Sequence, residues 1–257
     1  MINKNDIKLI RSLTIKKYRQ RYKKFIVEGE KSVIEAIKYR RKDIEKLYCT
    51  QEFLTRNSFF LKGIDDFAEL QTQTELERLS NLKNNTTVVA LIRIQSNADL
   101  TVLNKANLLL YLDGISDPGN LGTIIRTAEW FGVDALICSP DCVDIYNPKV
   151  VQSTMGSIFR LPVFSMDFNA LSDYTDNKLM NNYVMVMNGT DIYNFDFSFP
   201  MTVVIGNESN GVSSEIVSGA TRQITIPSSN GFVESLNASV ATSIVLSEVF
   251  RKNRKDN

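Results

Sequence analysis

The amino-acid sequence predicts an α/β protein in two parts: a mostly parallel sheet with helices on both faces, preceded by a smaller α/β domain. Three observations carry this. Four short apolar runs, Leu108 to Leu112, Ala135 to Cys138, Tyr183 to Met187 and Val203 to Ile205, lack polar alternation and read as strands buried on both sides. Helical stretches around residues 148–158 and 167–180 separate them. With 257 residues, 43% of them apolar, the chain is long enough for one large or two smaller cores.

From the N-terminus, residues 3–24 read as helical, with Ile7, Ile10 and Leu13 on one face, and Phe25 to Val27 as a short strand. Val33, Ile34 and Ile37 recur at helical spacing across Glu30 to Tyr39, and Ile44 to Cys49 reads as a strand. Thr74 to Leu82 follows as a helix and the β-branched run Thr87 to Ile94 as a strand. Residues 1–95 thus form the small domain, the polar stretch 96–106 a linker, and residues 107–257 the large domain. The chain closes with a helix from Asn237 to Lys252, whose Val240, Ile244, Leu246 and Val249 are expected on the core.

Composition removes whole classes of chemistry. There is no histidine, which excludes Ser-His-Asp and Cys-His nucleophile pairs, imidazole bases and His-bearing zinc sites. Three cysteines, Cys49, Cys138 and Cys142, form no Cys-x-x-Cys pair, so no disulfide framework or zinc cage is expected. The first residues lack the apolar core of a signal peptide, and no apolar run reaches the length of a membrane span, so a soluble, cytoplasmic protein is expected.

The net charge of +1 conceals an asymmetry. Residues 1–46 hold 15 Lys or Arg against 6 Asp or Glu, and the remainder 15 against 23. The basic end is densest at Lys16, Lys17, Arg19, Arg21, Lys23 and Lys24, interleaved with Tyr18 and Tyr22. That pattern points to phosphate-backbone contact with RNA or DNA; a solvated helix face is the competing explanation.

Three segments carry candidate chemistry. In the first, Asp117-Pro118-Gly119 turns the chain after a strand, Asn120 can cap the next helix, and Arg126 lies among the apolar Ile124, Ile125 and Ala128. A charge there requires a cleft or a polar partner. In the second, a buried strand runs into Gly206, Asn207 and Glu208, where glycine would let a ligand approach the backbone, and Ser213 or Ser214 can cap the following helix. In the third, Ser235-Leu236-Asn237 opens the last helix, whose free N–H groups and polar side chains would make a pocket. None of the glycine spacings matches a dinucleotide fingerprint or a P-loop, which makes a dehydrogenase remote.

In this order, DPGNLGTIIRTAEWFG, IGNESNGVSSE and IPSSNGFVESLNASVA resemble the three motifs of the SpoU (TrmH) family of RNA ribose 2′-O-methyltransferases, in the SPOUT superfamily. The resemblance spans about residues 108–252, and KFIVEGEKSVIEAIK is similar to the small α/β RNA-binding domain that many members carry. It implies a C-terminal trefoil knot, an exception to the rule against knots. It also implies S-adenosylmethionine as cofactor, an RNA substrate, a homodimer and no metal. By similarity, Arg126, Asn120, Glu208, Ser235 and Asn237 are the catalytic set, with Glu208 orienting Asn120 or Arg126. Met187, Asn188, Gly189, Ile205, Gly206, Ile226, Ser235, Leu236 and Asn237 would line the cofactor pocket, several through the main chain. Ribosomal RNA is favoured as substrate because a separate RNA-binding domain precedes the knot. The same reaction on transfer RNA, or an RNA-binding relative without catalysis, are the alternatives.

Overall fold

A computed structural model describes residues 2–61, 67–80, 86–95, 99–175, 180–229 and 234–254. Parts of four expectations lie outside these residues: positions 81–82 of one helix, 96–98 of the linker, 176–179 of another helix and 230–233 of the loop before the last helix. The chain divides into two compact units, Met1–Ala98 with Asp144–Arg160, and Asp99–Val143 with Leu161–Asn257.

The first unit begins with α1 (Lys4–Ser12), α2 (Lys16–Tyr22), β1 (Lys24–Glu28), α3 (Glu30–Arg40) and β2 (Ile44–Cys49). It continues with α4 (Gln51–Arg56), β3 (Ala68–Leu70), α5 (Gln73–Leu79) and β4 (Val88–Arg93). Its sheet runs β1-β4-β2-β3, antiparallel except between β2 and β3. The single helix expected over 3–24 is two, because Leu13 turns inward, fully buried, and Ile15 is extended. α5 starts at a capping box: the Thr72 hydroxyl accepts from the Glu75 N–H while the Glu75 carboxylate accepts from the Thr72 N–H.

The second unit comprises α6 (Thr101–Lys105), β5 (Leu108–Asp113), α7 (Pro118–Trp130) and β6 (Ala135–Cys138). After α8 (Pro148–Ser153), which belongs to the first unit, come β7 (Val163–Ser165), α9 (Phe168–Thr175), β8 (Asn181–Asp191) and β9 (Met201–Gly206). The chain ends with α10 (Ser214–Ser218), β10 (Arg222–Thr225) and α11 (Ala238–Asn253). All six strands are parallel, in the order β10-β8-β9-β5-β6-β7. The stretch expected to be a plain linker contains α6, anchored by the buried Leu103. Val240, expected in the core, is exposed, whereas Leu246 and Val249 are buried.

The large unit is not contiguous, unlike the partition expected at 107–257. Residues 144–160 pack with residues 1–98: Val151, Ile158 and Phe159 join the core of Phe25, Val27 and Val33, and the Tyr146 ring lies 4.7 Å from that of Phe25.

The same excursion corrects the reading of Arg19 as an RNA contact. Arg19 is 2% exposed; its Nε donates to Asp144 Oδ2 at 2.7 Å and its guanidinium donates to the Leu13 carbonyl at 2.6 Å. A guanidinium so enclosed holds the chain together and offers nothing to a phosphate. Breaking a buried ion pair leaves the partner charge stranded, so Arg19→Ala is expected to lower unfolding free energy by about 3 kcal/mol. Lys17→Ala, on an exposed residue, is expected to change it by less than about 0.5 kcal/mol. Urea denaturation of the two variants checks the contrast.

Candidate active site

Strands β5 and β9 end in step, with Leu112 opposite Ile205 and Asp113 opposite Gly206. The connections that leave them therefore emerge side by side at the carboxyl edge of the sheet, where open parallel sheets hold ligands. One connection leads into α7. Asp117 is its N-cap, accepting the Asn120 N–H at 2.7 Å, and Pro118 opens the first turn. Asn120 is therefore not the cap expected from sequence. The cap frees its side chain, which points instead to the neighbouring connection.

Asn120 Nδ2 donates to Glu208 Oε1, and Asn120 Oδ1 accepts from Asn237 Nδ2 at 3.0 Å. Three expected site residues, 88 and 117 positions apart in sequence, thus form one hydrogen-bonded chain. Asn237 is also the N-cap of α11: its Oδ1 accepts from the Ser239 N–H at 2.9 Å and from the Ser239 hydroxyl at 2.6 Å. Ser213 precedes α10 without a side-chain cap bond; its N–H is taken by Asp113 Oδ2 at 2.8 Å.

Arg126 stands apart from this chain. On α7, Leu121, Ile124, Ile125 and Ala128 are buried, while Arg126 and Trp130, one turn apart, are exposed. Among the described residues Arg126 has no hydrogen-bond or ion-pair partner, so the polar partner demanded by its apolar neighbours is solvent or a ligand. Of the two targets expected for Glu208, it contacts Asn120. Ser235 and Leu236 are exposed just ahead of α11.

Of the expected cofactor-lining residues, Met187, Asn188 and Gly189 lie in an interruption of β8. The strand pairs with β9 only over Asn181 to Val184, and with β10 at Val184 and again at Thr190, so residues 185–189 belong to neither ladder. Met187 and Asn188 are exposed there, and the Met187 carbonyl accepts from the Thr225 hydroxyl at 3.0 Å. Ile205 is buried and Ile226 half-buried. Gly206 has a further reason besides the one read in sequence, and Gly189 has one of the same kind. A Cβ at Gly206 would overlap the Gly211 and Val212 backbone, and one at Gly189 the Ile224 backbone. It is the protein's own chain that approaches these positions closely. The bulge was not visible in the sequence, where Tyr183 to Met187 reads as an unbroken strand.

The residues present fit an adenosyl ligand in kind: unladdered backbone at 185–189, and the exposed polar side chains of Ser235 and Asn237 ahead of α11. Among the described residues, no group of three or more His, Cys, Asp or Glu side chains is placed to hold a metal, and no helix is long and apolar enough to cross a membrane.

Residues 107–247 match the family model of the SpoU rRNA methylase family, and residues 4–90 that of the MRM3-like substrate-binding domain. The chain belongs to the SpoU rRNA methylase family. It is 27% identical over 237 residues to a 23S rRNA guanosine 2′-O-methyltransferase from Bacillus subtilis, covering 92% of each chain. A TrmH-family structure from Porphyromonas gingivalis superposes with a TM-score of 0.87 at 32% identity, covering 98% of this chain and 99% of that one. An rRNA methyltransferase structure from Sinorhizobium meliloti, bound to S-adenosylmethionine, superposes with a TM-score of 0.85 at 26% identity, covering 98% and 96%. The chain spans only 54% and 60% of the length of two curated relatives that are 36% identical to it.

Asn237→Ala removes the cap of α11 and is expected to lower stability by about 1 kcal/mol. Asn237→Asp keeps the acceptor for Ser239 and is expected to stay within about 0.5 kcal/mol of the parent. Thermal unfolding of both variants checks that the side chain caps the helix as well as contacting Asn120.

Proposed function

We propose that this SpoU-family chain transfers the methyl group of S-adenosylmethionine to a ribose 2′-hydroxyl of RNA, with ribosomal RNA as the substrate class. The observation that carries the reading is the Glu208–Asn120–Asn237 chain at the carboxyl edge of the sheet, on the three motifs of the family. The full-length likeness to the Bacillus subtilis enzyme, which acts on 23S rRNA, favours ribosomal over transfer RNA.

When bound, S-adenosylmethionine supplies an electrophilic methyl on a positive sulfur. Met187, Asn188, Gly189, Ile205, Gly206, Ile226, Ser235, Leu236 and Asn237 would hold it, largely by main-chain groups. A ribose hydroxyl is a weak nucleophile, so the protein's share of the work is alignment and electrostatics. Arg126, exposed and without a protein partner among the described residues, grips an RNA phosphate and places positive charge beside the 2′-oxygen. A guanidinium holds its proton too tightly to be an efficient base, so its role is electrostatic first. Glu208 fixes the rotamer of Asn120, and Asn120 with Asn237 and Ser235 orients the ribose.

Lys16, Lys17, Arg21 and Lys23 are exposed on and beside α2 and hold RNA phosphates; Lys24, paired with Glu45 at 2.5 Å, contributes less, and Arg19 is withdrawn from this set. Stacked Tyr18 and Tyr22 rings, 6.1 Å apart, with the Arg21 guanidinium 5.5 Å from the Tyr22 ring, offer an aromatic and cationic face suited to RNA.

The finer family traits belong to the same proposal. The C-terminal segment is threaded as a trefoil knot, a reading supported by β10 pairing beyond β8 while α11 returns to α7. The active form is a cytoplasmic homodimer, supported by large apolar side chains left exposed on α7 and at or before α11: Trp130 (83%), Leu236, Val240 and Phe250.

Arg126→Ala is expected to bind S-adenosylmethionine with unchanged affinity by calorimetry while methyl transfer falls by about a hundredfold or more. An Arg126→Ala protein that methylates at the parent rate would overturn the assignment. Replacing Lys16, Lys17, Arg21 and Lys23 with alanine is expected to weaken RNA binding and flatten its dependence on salt, measured by filter binding across a salt series.

A further inference from the structure

Glu208 sits within a tight reversal, residues 207–211, closed by two backbone hydrogen bonds: Asn207 N–H to the Gly211 carbonyl at 3.1 Å and Gly211 N–H to the Asn207 carbonyl at 2.9 Å. A glutamate on such a reversal is only as well placed as the reversal itself. Asn207 ties it down in two directions. Its Oδ1 accepts from the Ser209 N–H at 2.8 Å and the Asn210 N–H at 3.3 Å, shaping the turn locally. Its Nδ2 donates to the Gly114 carbonyl at 2.7 Å, across to the connection that leads into α7. At the far end of the same loop, Asp113 Oδ2 accepts from the Ser213 N–H at 2.8 Å.

Both ends of the loop carrying Glu208 are therefore fastened to residues 113 and 114, the start of the connection carrying Asn120. The Glu208–Asn120 contact is made between two cross-braced segments. Both acceptor positions of the Asn207 Oδ1 are used by the loop's own N–H groups, which leaves its side chain turned to protein and not to a substrate.

We infer that Asn207, with Asp113 at the other end of the loop, is a positioning residue for methyl transfer: the Asn207 amide bound to the Gly114 carbonyl sets Glu208 against Asn120. This rests on the reading of Glu208 and Asn120 as parts of the active site. Asn207 acts through Glu208, so its loss should matter only while Glu208 is there to be placed.

The test measures kcat for methyl transfer to ribosomal RNA, and S-adenosylmethionine affinity by calorimetry, in the full-length protein. The variants are Asn207→Ala, Asn207→Asp, Glu208→Ala and the double variant Asn207→Ala/Glu208→Ala. Asn207→Asp keeps the acceptor for Ser209 and Asn210 but has no donor for Gly114, so it preserves the local turn and cuts the cross-brace alone. Both single Asn207 variants are expected to lower kcat by about tenfold to a hundredfold with cofactor affinity within about threefold of the parent. The double variant is expected to be no slower than Glu208→Ala. Asn207→Asp at the parent rate, or a double variant slower than Glu208→Ala by the whole Asn207→Ala factor, would overturn the inference and leave the role of Glu208 standing. Glu208→Ala at the parent rate would overturn both.

Discussion

Asn120 is where three distant stretches of chain meet, because its side-chain amide can donate to one and accept from another at once. Its donor goes to Glu208 and its acceptor receives Asn237. That double use is possible only because Asp117, three residues earlier, takes over the helix-capping role that an asparagine in this position would otherwise fill. It also requires β5 and β9 to end in step, so that the two connections leave the sheet together. The site is thus a consequence of register in a parallel sheet and of one displaced cap. Because Asn237 also caps α11, the orientation of the last helix and of the site are set by one side chain.

Much of this organisation is legible in the sequence, and the exceptions have physical reasons. Ala135 to Cys138 matches an observed strand residue for residue, because a run without polar alternation has few other folds open to it, and Ile44 to Cys49 matches as well although Glu45 and Lys46 interrupt it. α4, β3 and β7 have no counterpart in the sequence reading: the six residues of α4 span less than two helical turns, and the three each of β3 and β7 are too few to set an apolar run. Arg19 was misplaced because a basic run looks uniform in sequence, and only the fold distinguishes the one residue turned towards Asp144 from its exposed neighbours. The reading of Gly206 was incomplete for a related reason. Gly189 and Gly206 do mark close backbone approach, but sequence cannot say whether a ligand or the chain itself approaches.

At the site, Asn120, Glu208 and Asn237 were anticipated as a group, with Glu208 orienting Asn120 or Arg126, whereas the contact of Asn237 with Asn120 was not. Arg126 remains separate from the trio, exposed and without a protein partner among the described residues, on the same helix as Asn120. This separation suits a division of labour in which one set of groups orients a ribose and another meets a phosphate. The absence of histidine is then no handicap, since alignment with a sulfonium methyl needs neither imidazole nor metal.

The account stands or falls on where the methyl group goes. The most direct measurement incubates the purified protein with methyl-labelled S-adenosylmethionine and unmodified ribosomal RNA, then digests the RNA with alkali. Label in an alkali-resistant dinucleotide is the predicted result, because a methylated 2′-oxygen cannot attack the neighbouring phosphate. Label recovered in mononucleotides, which places the methyl on a base, or no transfer at all, would contradict the account.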